Sequence, residues 1–195
     1  MAGSRRALAL FTLAAVLATA APTGAHPHVF VDHTVLVRFG ASGPEAVDFS
    51  WTFDDMFSTL IIQSFDADKD RTFSAKEVQV IEQKHFGNLK EYQYFVAIRH
   101  GGTSLPITVR QFRVTANRGL VTYAFTVPVS ATAGGEGTLE IVVDDPTFYT
   151  AFMPAPANAV QVKAPPSYKA NCEVARDARG FEPDAVRCAY RKGAP

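Results

Sequence analysis

The sequence lacks the patterns on which most enzyme classes depend. It contains no CxxC pair, no Gly-rich phosphate loop and no Ser-His-Asp order that would indicate hydrolytic or nucleotide chemistry. It also lacks an excess of charge, since 19 basic residues balance 19 acidic ones and the basic residues are scattered. Such a chain has no electrostatic footprint for nucleic acid. The composition argues against a polyanion-binding protein and indicates one globular domain.

Long hydrophobic runs are absent apart from the small-residue segment 7–21. This segment is too short and too rich in alanine for a membrane span. Two adjacent arginines precede it and small residues follow it up to Ala25, which predicts a signal peptide over residues 1–25. Cleavage after Ala20 is an alternative, and the arginine pair leaves both the Sec and the twin-arginine route open. We expect a periplasmic or secreted protein with a mature charge of about −2.

Cysteine is nearly absent as well, and its two copies, Cys172 and Cys188, lie close to the C-terminus. In an oxidising compartment two such residues are expected to form a disulfide across the last two strands. The alternative is a pair of free thiols.

The periodicity of the chain predicts a mainly β protein, an antiparallel β-sandwich with a helical insert at about residues 53–87. Apolar residues alternate from Val29 to Phe39 and again up to Trp51, as in paired strands. The spacing then changes to three and four residues, which predicts helices over 53–65 and 74–86. Further strands are predicted at 92–99, 107–116, 120–128, 138–143, 159–162, 168–175 and 186–190.

The helical insert contains the most specific motif in the sequence, a twelve-residue loop of the EF-hand type. Calcium needs six or more oxygen ligands at about 2.3–2.6 Å, and a curled loop closed by a carboxylate supplies them. The predicted calcium ligands are Asp66, Asp68, Asp70, the carbonyl of Thr72, Ser74 and Glu77.

Two features of this loop oppose a strong calcium site. Arg71 stands where the motif has glycine, and a positive φ at a residue with a Cβ costs roughly 1–2 kcal/mol. Lys69 and Arg71 also offset two of the acidic charges. The pair Ser74 and Glu77 is, moreover, a capping box that any helix could use at its start. We therefore expect a weak, structural calcium site, with a plain solvated turn as the alternative.

A second candidate metal site lies at the predicted mature N-terminus, where His26, Pro27 and His28 follow the signal peptide. A terminal amine and two imidazoles are good ligands for Zn, Cu, Ni or Co. Pro27 has no amide hydrogen, which blocks the square-planar mode that uses deprotonated backbone amides. The remaining chelate, the amine and ring of His26 together with His28, resembles the histidine brace of copper proteins.

The other histidines and acids are given ordinary structural roles. His33 shares a face with the valines of the first strand and is expected to be buried and hydrogen-bonded. His85 and His100 are expected to lie in solvent. Asp144 and Asp145 precede a proline, where acids are often turn formers, and a functional role for them stays open.

Several stretches together resemble the domain-of-unknown-function 1007 family of bacterial periplasmic proteins. They are the segments 26–32, 51–57, 92–95 and 145–149 and the acidic loop 66–77. The resemblance implies the periplasmic component of an uncharacterised ABC-type transport system associated with nickel or cobalt. It also implies a transition-metal site at His26, His28 and Asp145.

The leading hypothesis is a non-enzymatic periplasmic protein that binds a divalent transition metal (Zn, Cu, Ni or Co) and serves or buffers a membrane metal transporter. Nitrogen ligands favour these metals over Ca or Mg, although ligand type cannot name the physiological one. The alternatives are a copper oxidase that uses the histidine brace, and a calcium-stabilised interaction module.

Overall fold

The computed structural model describes residues 27–129, 135–176 and 183–193 of the chain. The predicted signal peptide and His26 lie outside these residues. Eleven strands and two α-helices follow one another within the described part. The strands are β1 (Val29–Gly40), β2 (Gly43–Phe53), β3 (Val96–His100), β4 (Thr103–Ser104), β5 (Arg110–Asn117), β6 (Leu120–Pro128), β7 (Glu136–Val143), β8 (Thr150–Pro154), β9 (Val160–Lys163), β10 (Tyr168–Ala175) and β11 (Ala185–Lys192).

The strands form two sheets, which confirms the predicted mainly β sandwich. The first sheet has the order β5-β6-β2-β1-β8, and β9 also pairs with β1. The second has the order β10-β11-β7-β3-β4. Most pairings are antiparallel, but β8 and β9 both run parallel to β1. A parallel pair needs a long connection instead of a tight hairpin.

The core lies between the two sheets and beneath the helices. Alternate residues of β1 and β2 are buried, as the period of two predicts. These side chains join apolar residues of the second sheet, such as Ile98, Leu139 and Ile141, in one cluster. The rings of Trp51, Phe125 and Phe86 pack against one another within it.

The helical insert follows β2. Helix α1 (Asp55–Phe65) begins at Asp54, whose side chain accepts a hydrogen bond from the amide of Phe57. Helix α2 (Ala75–Lys84) begins at Ser74 and leads into 3₁₀ turns over Phe86–Phe95. The two α-helices are confirmed, with boundaries that differ from the predicted ones by at most two residues.

Residues 92–95 are not the start of a strand, and that part of the prediction is wrong. Gln93, Tyr94 and Phe95 have φ values of 54°, 53° and 52°, in the left-handed region. Such values are unusual for residues with a Cβ and are incompatible with an extended strand. The strand therefore begins only at Val96.

Cys172 and Cys188 form the predicted disulfide. They lie directly opposite each other in the pairing of β10 with β11. A disulfide at this place fits a protein of an oxidising compartment. Within the described part of the chain, no helix is long and apolar enough to cross a membrane.

Candidate metal sites and an aromatic cavity

The loop between α1 and α2 brings its first three acids together. One carboxylate oxygen from each of Asp66, Asp68 and Asp70 lies within 4.8 Å of the others. Asp66 is only 7% exposed, because it caps the end of α1. Its Oδ2 accepts a hydrogen bond from the amide of Arg71, at 2.9 Å. Its Oδ1 is buried and has no hydrogen-bond partner among the described residues.

Several opposing effects within this acidic loop alter the pKa of Asp68. The hydrogen bond that its carboxylate accepts from the Asp70 amide lowers the pKa. Desolvation, the negative charges of Asp70 and Glu77 and a hydrogen bond with Asp66 outweigh it, and the pKa is raised overall. The loop thus concentrates negative charge, which is the electrostatic condition that a cation relieves.

The loop adopts a left-handed backbone at its sixth place, where the EF-hand pattern has glycine. Arg71, at the sixth place, has a φ of 68°, and Lys69 has a φ of 62°. The amide of Thr72 donates to the carboxylate of Asp70 at 2.7 Å, which helps to hold the curl. The conformational cost expected at Arg71 is therefore present in the folded chain.

Glu77 closes the loop through hydrogen bonds. One oxygen accepts from the amide of Ala67 at 2.6 Å, and the other accepts from the amide and hydroxyl of Ser74. These bonds hold the pKa of Glu77 below its ordinary value. The capping box considered as an alternative for this pair is formed. It draws the carboxylate of the twelfth place over the first residues of the loop.

The second predicted site lies where β1 meets the turn before β8. His28 is exposed and its amide donates to the carbonyl of Tyr149 at 2.8 Å. The centroids of the His28 and Tyr149 rings lie 5.1 Å apart. The parallel pairing of β1 with β8 thereby brings His28 to the segment that Asp145 begins.

Asp145 shapes that turn. It is 2% exposed, and its carboxylate accepts hydrogen bonds from the amide of Thr147, the hydroxyl of Thr147 and the amide of Thr150. Burial, and then the negative charge of Asp145, raise the pKa of the neighbouring Asp144. The role as turn former that the sequence suggested is thus realised at Asp145, and three of its four lone pairs are used.

A cavity of about 390 Å³ lies beside this turn, between the first sheet and the helical insert. Its walls are mostly aromatic, with Trp51, Phe53, Phe57, Phe95, Tyr123 and Phe152 among them. Tyr92 and Tyr149, both about half exposed, also line it. Asp145 and His85 contribute polar groups. A cavity of this size and lining is typical of small-molecule sites.

Comparison with known sequences places this chain in a family. The sequence pattern of a family described as "Protein of unknown function (DUF1007)" matches residues 11–185. The chain belongs to the DUF1007 family. The match confirms the family resemblance seen in the sequence, and the family's description says nothing of transport.

Outside the family pattern the similarities are partial. An uncharacterized 15.5 kDa protein in the trpE 3′ region of Spirochaeta aurantia is 30% identical over 91 residues. The aligned segment is 46% of this chain and 65% of that protein, so the chain spans less than two thirds of its relative. Among solved structures, AChBP from Bulinus truncatus aligns with a TM-score of 0.41 and 9% identity, over 96% of this chain and 99% of that one.

The histidines of this DUF1007 protein differ from their sequence-based description in three places. His33 is buried as predicted, but its Nδ1 has no partner among the described residues. His85 and His100 were expected to lie in solvent, but both are partly buried and contact a tyrosine hydroxyl. His85 packs on the sheet, with its Nδ1 3.1 Å from the Tyr123 hydroxyl, and the Nε2 of His100 lies 2.6 Å from the Tyr190 hydroxyl.

The cavity was not predicted from the sequence. Its residues come from β1, β2, α1, the end of α2, the 3₁₀ turns, β6, the turn before β8 and β8 itself, and only the fold unites them. The clustered aromatic segments 51–57 and 92–95 were a usable signal, because both reach the cavity, but aromatic residues at such spacings more often belong to a core.

Proposed function

We propose that this DUF1007 protein binds divalent metal ions outside the cytoplasm, with loop 66–77 holding calcium and an N-terminal histidine site holding Zn, Cu, Ni or Co. The observation that carries the proposal is the buried, unpartnered Oδ1 of Asp66 beside the carboxylates of Asp68 and Asp70. A buried carboxylate oxygen without a partner is costly, and a cation removes that cost.

The calcium part of the proposal rests on the loop's oxygens. Asp66, Asp68 and Asp70 converge already, and the curl needed at Arg71 is formed. Thr72 and Ser74 would add a carbonyl and a hydroxyl, and Glu77 would exchange its hydrogen bonds to Ala67 and Ser74 for the ion. This exchange and the two cationic side chains of the loop weaken binding, so calcium acts as a structural clip.

The transition-metal part rests on the position of His28. Its imidazole is exposed at the edge of the turn that Asp145 organises, so it is free to bind a metal. Asp145 keeps one lone pair beyond its three hydrogen bonds, and His26 would complete the nitrogen set. The soft nitrogen ligands favour late transition metals. We infer a role in delivering such a metal to a membrane transporter, or in buffering it.

Calcium binding is tested by thermal unfolding with calcium and with a chelator. Calcium is expected to raise the melting temperature of the wild type, because an ion that binds only the folded state stabilises it by mass action. Asp66→Asn should abolish this rise, whereas Glu82→Gln, at an exposed acid of α2, should retain it. A wild type whose melting temperature ignores calcium would refute the loop site.

The transition-metal site is tested on protein exported to the periplasm. Native mass spectrometry with elemental analysis reports the N-terminal residue and the bound metal together. About one equivalent of Zn, Cu, Ni or Co, lost in His28→Ala and in His26→Ala but kept in His100→Gln, is the expected result. A chain that begins elsewhere and takes up none of these metals on challenge would refute this site and leave the calcium loop unaffected.

The copper-oxidase alternative differs in one measurable respect. A histidine brace needs an open coordination position beside a substrate surface, and the aromatic cavity adjoins the turn next to His28. Oxygen consumption by the copper-loaded protein with a reductant, abolished in His28→Ala, would favour the oxidase over a transport role.

A further inference from the structure

One residue of the cavity wall, Trp51, has an indole donor without a partner among the described residues. Trp51 is 1% exposed, and its Nε1 is buried without a hydrogen-bond partner among the described residues. A buried donor without a partner is costly, and native structures rarely tolerate one without a reason. Because Trp51 forms part of the cavity wall, a bound molecule with an acceptor atom is such a reason.

His85 is a second polar residue of the cavity wall. Its Nδ1 lies 3.1 Å from the hydroxyl of Tyr123. Burial lowers the pKa of His85 and raises the pKa of Tyr123, so both groups are neutral near pH 7. When the phenol donates to Nδ1, the proton of the neutral imidazole lies on Nε2.

The charge of the lining restricts the ligand further. Among the residues that the structure describes, no lysine or arginine lines the cavity, and the single lining carboxylate, Asp145, already accepts three hydrogen bonds. An anion would be repelled by Asp145 and would meet no opposite charge. An organic cation could stack on the aromatic walls, but it would leave the donors of Trp51 and His85 unsatisfied.

We propose that this cavity binds an uncharged, planar molecule that carries a hydrogen-bond acceptor, the class represented by aromatic carbonyl compounds. The aromatic walls provide the apolar contact, and Trp51 and His85 provide the donors that orient the acceptor. A volume of about 390 Å³ is sufficient for a small ring system. The proposal shares only Asp145 with the metal sites, and it stands if those fail.

A series of bicyclic probes of nearly equal shape tests the ligand class. Calorimetric titration of the calcium-saturated protein with 1,4-naphthoquinone, naphthalene, 2-naphthoate and N-methylquinolinium compares an acceptor, an apolar ring, an anion and a cation. The quinone is expected to bind about 3–10-fold more tightly than naphthalene, the ratio that one hydrogen bond provides, and the two ions more weakly still. The chain has no free cysteine that could react with the quinone.

The indole proton provides a direct readout, because the sequence contains a single tryptophan. In a nitrogen–proton correlation NMR spectrum, the indole N–H signal of Trp51 should shift when the protein is saturated with the quinone. Saturation with naphthalene should shift this signal much less. Trp51→Phe keeps an aromatic wall and removes the indole donor, and should lower the quinone's advantage to the part that His85 alone provides. Phe39→Leu changes a core ring that does not line the cavity and should leave the advantage intact.

Three results would overturn the proposal. These are no binding of quinone or naphthalene up to millimolar concentration, a charged probe that binds as tightly as the quinone, or an indole signal that is unchanged at quinone saturation. The NMR result uses the wild-type protein and stands even if Trp51→Phe folds poorly.

Discussion

Buried His33 makes the stability of this protein depend on pH. The residue lies on the core face of β1 between Val31 and Val35, is 3% exposed, and is paired across the sheet with Trp51. Burial lowers its pKa from 6.5 to about 4, because the charged imidazolium cannot be solvated in the core.

The sign of the effect follows from the two states. The unfolded chain takes up a proton at His33 as the pH falls through 6.5, whereas the folded chain takes it up only near 4. Between these values the unfolded state binds more protons, so the free energy of unfolding decreases as the pH falls. The full effect is ~3 kcal/mol, and about 2 kcal/mol of it is lost between pH 7 and pH 5.

Urea unfolding at several pH values from 7 to 5, followed by Trp51 fluorescence in the presence of a chelator, measures this loss. In His33→Leu the decrease should be smaller than in the wild type by about 2 kcal/mol. The variant should be no less stable at pH 7, since leucine removes the unpartnered Nδ1. Val35→Ala, on the same face, should be less stable at every pH with the wild-type dependence. Equal pH dependences of wild type and His33→Leu would refute the reasoning.

Three further changes test other parts of the fold. Arg71 has a positive φ, which glycine adopts without strain, so Arg71→Gly should make the free energy of calcium binding, measured by calorimetry, more favourable by about 1 kcal/mol. An unchanged affinity would show that the loop is not strained at this residue. Ser74→Ala deletes the cap of α2 and should lower the free energy of unfolding by ~1 kcal/mol in urea, whereas Thr59→Ala, at an exposed residue of α1, should have a smaller effect. Replacing Cys172 and Cys188 by alanine removes a disulfide across a sequence separation of 16 and should lower the free energy of unfolding by about 3 kcal/mol. Equal unfolding curves of the wild type with and without reductant would contradict this expectation.

Local patterns were sufficient to predict the elements that have one buried face. The alternation from Val29 to Phe39 and the three-and-four spacing from Phe53 to Phe65 each report which side of an element meets the core. The acidic loop was equally readable, because its ligands are consecutive in the chain. These features depend on contacts within a few residues.

The features that were missed depend on distant partners. Strand β8 contains five residues, ends at a proline and exists because it pairs with β1 more than a hundred residues earlier. His85 ends α2 and contacts Tyr123 of β6, so its burial is a property of the assembled sheet and insert. Residues 93–95 adopt a left-handed backbone although none of them is glycine, so no residue type in this segment indicates that conformation.

The helical insert connects the acidic loop 66–77 with the aromatic cavity. The loop joins the end of α1 to the start of α2. Two residues that line the cavity, Phe57 near the start of α1 and His85 at the end of α2, lie at the helix ends that are distant from the loop. A helical segment of eight residues spans about 12 Å, so a small change of angle at the loop moves the far ends by more than it moves the loop itself. An ion that fixes the loop would thereby fix this wall of the cavity, whereas the wall formed by Trp51 and Tyr123 belongs to the sheet. Ligand affinities therefore need to be measured both with calcium and with a chelator, because the difference between them is the coupling free energy of the two sites.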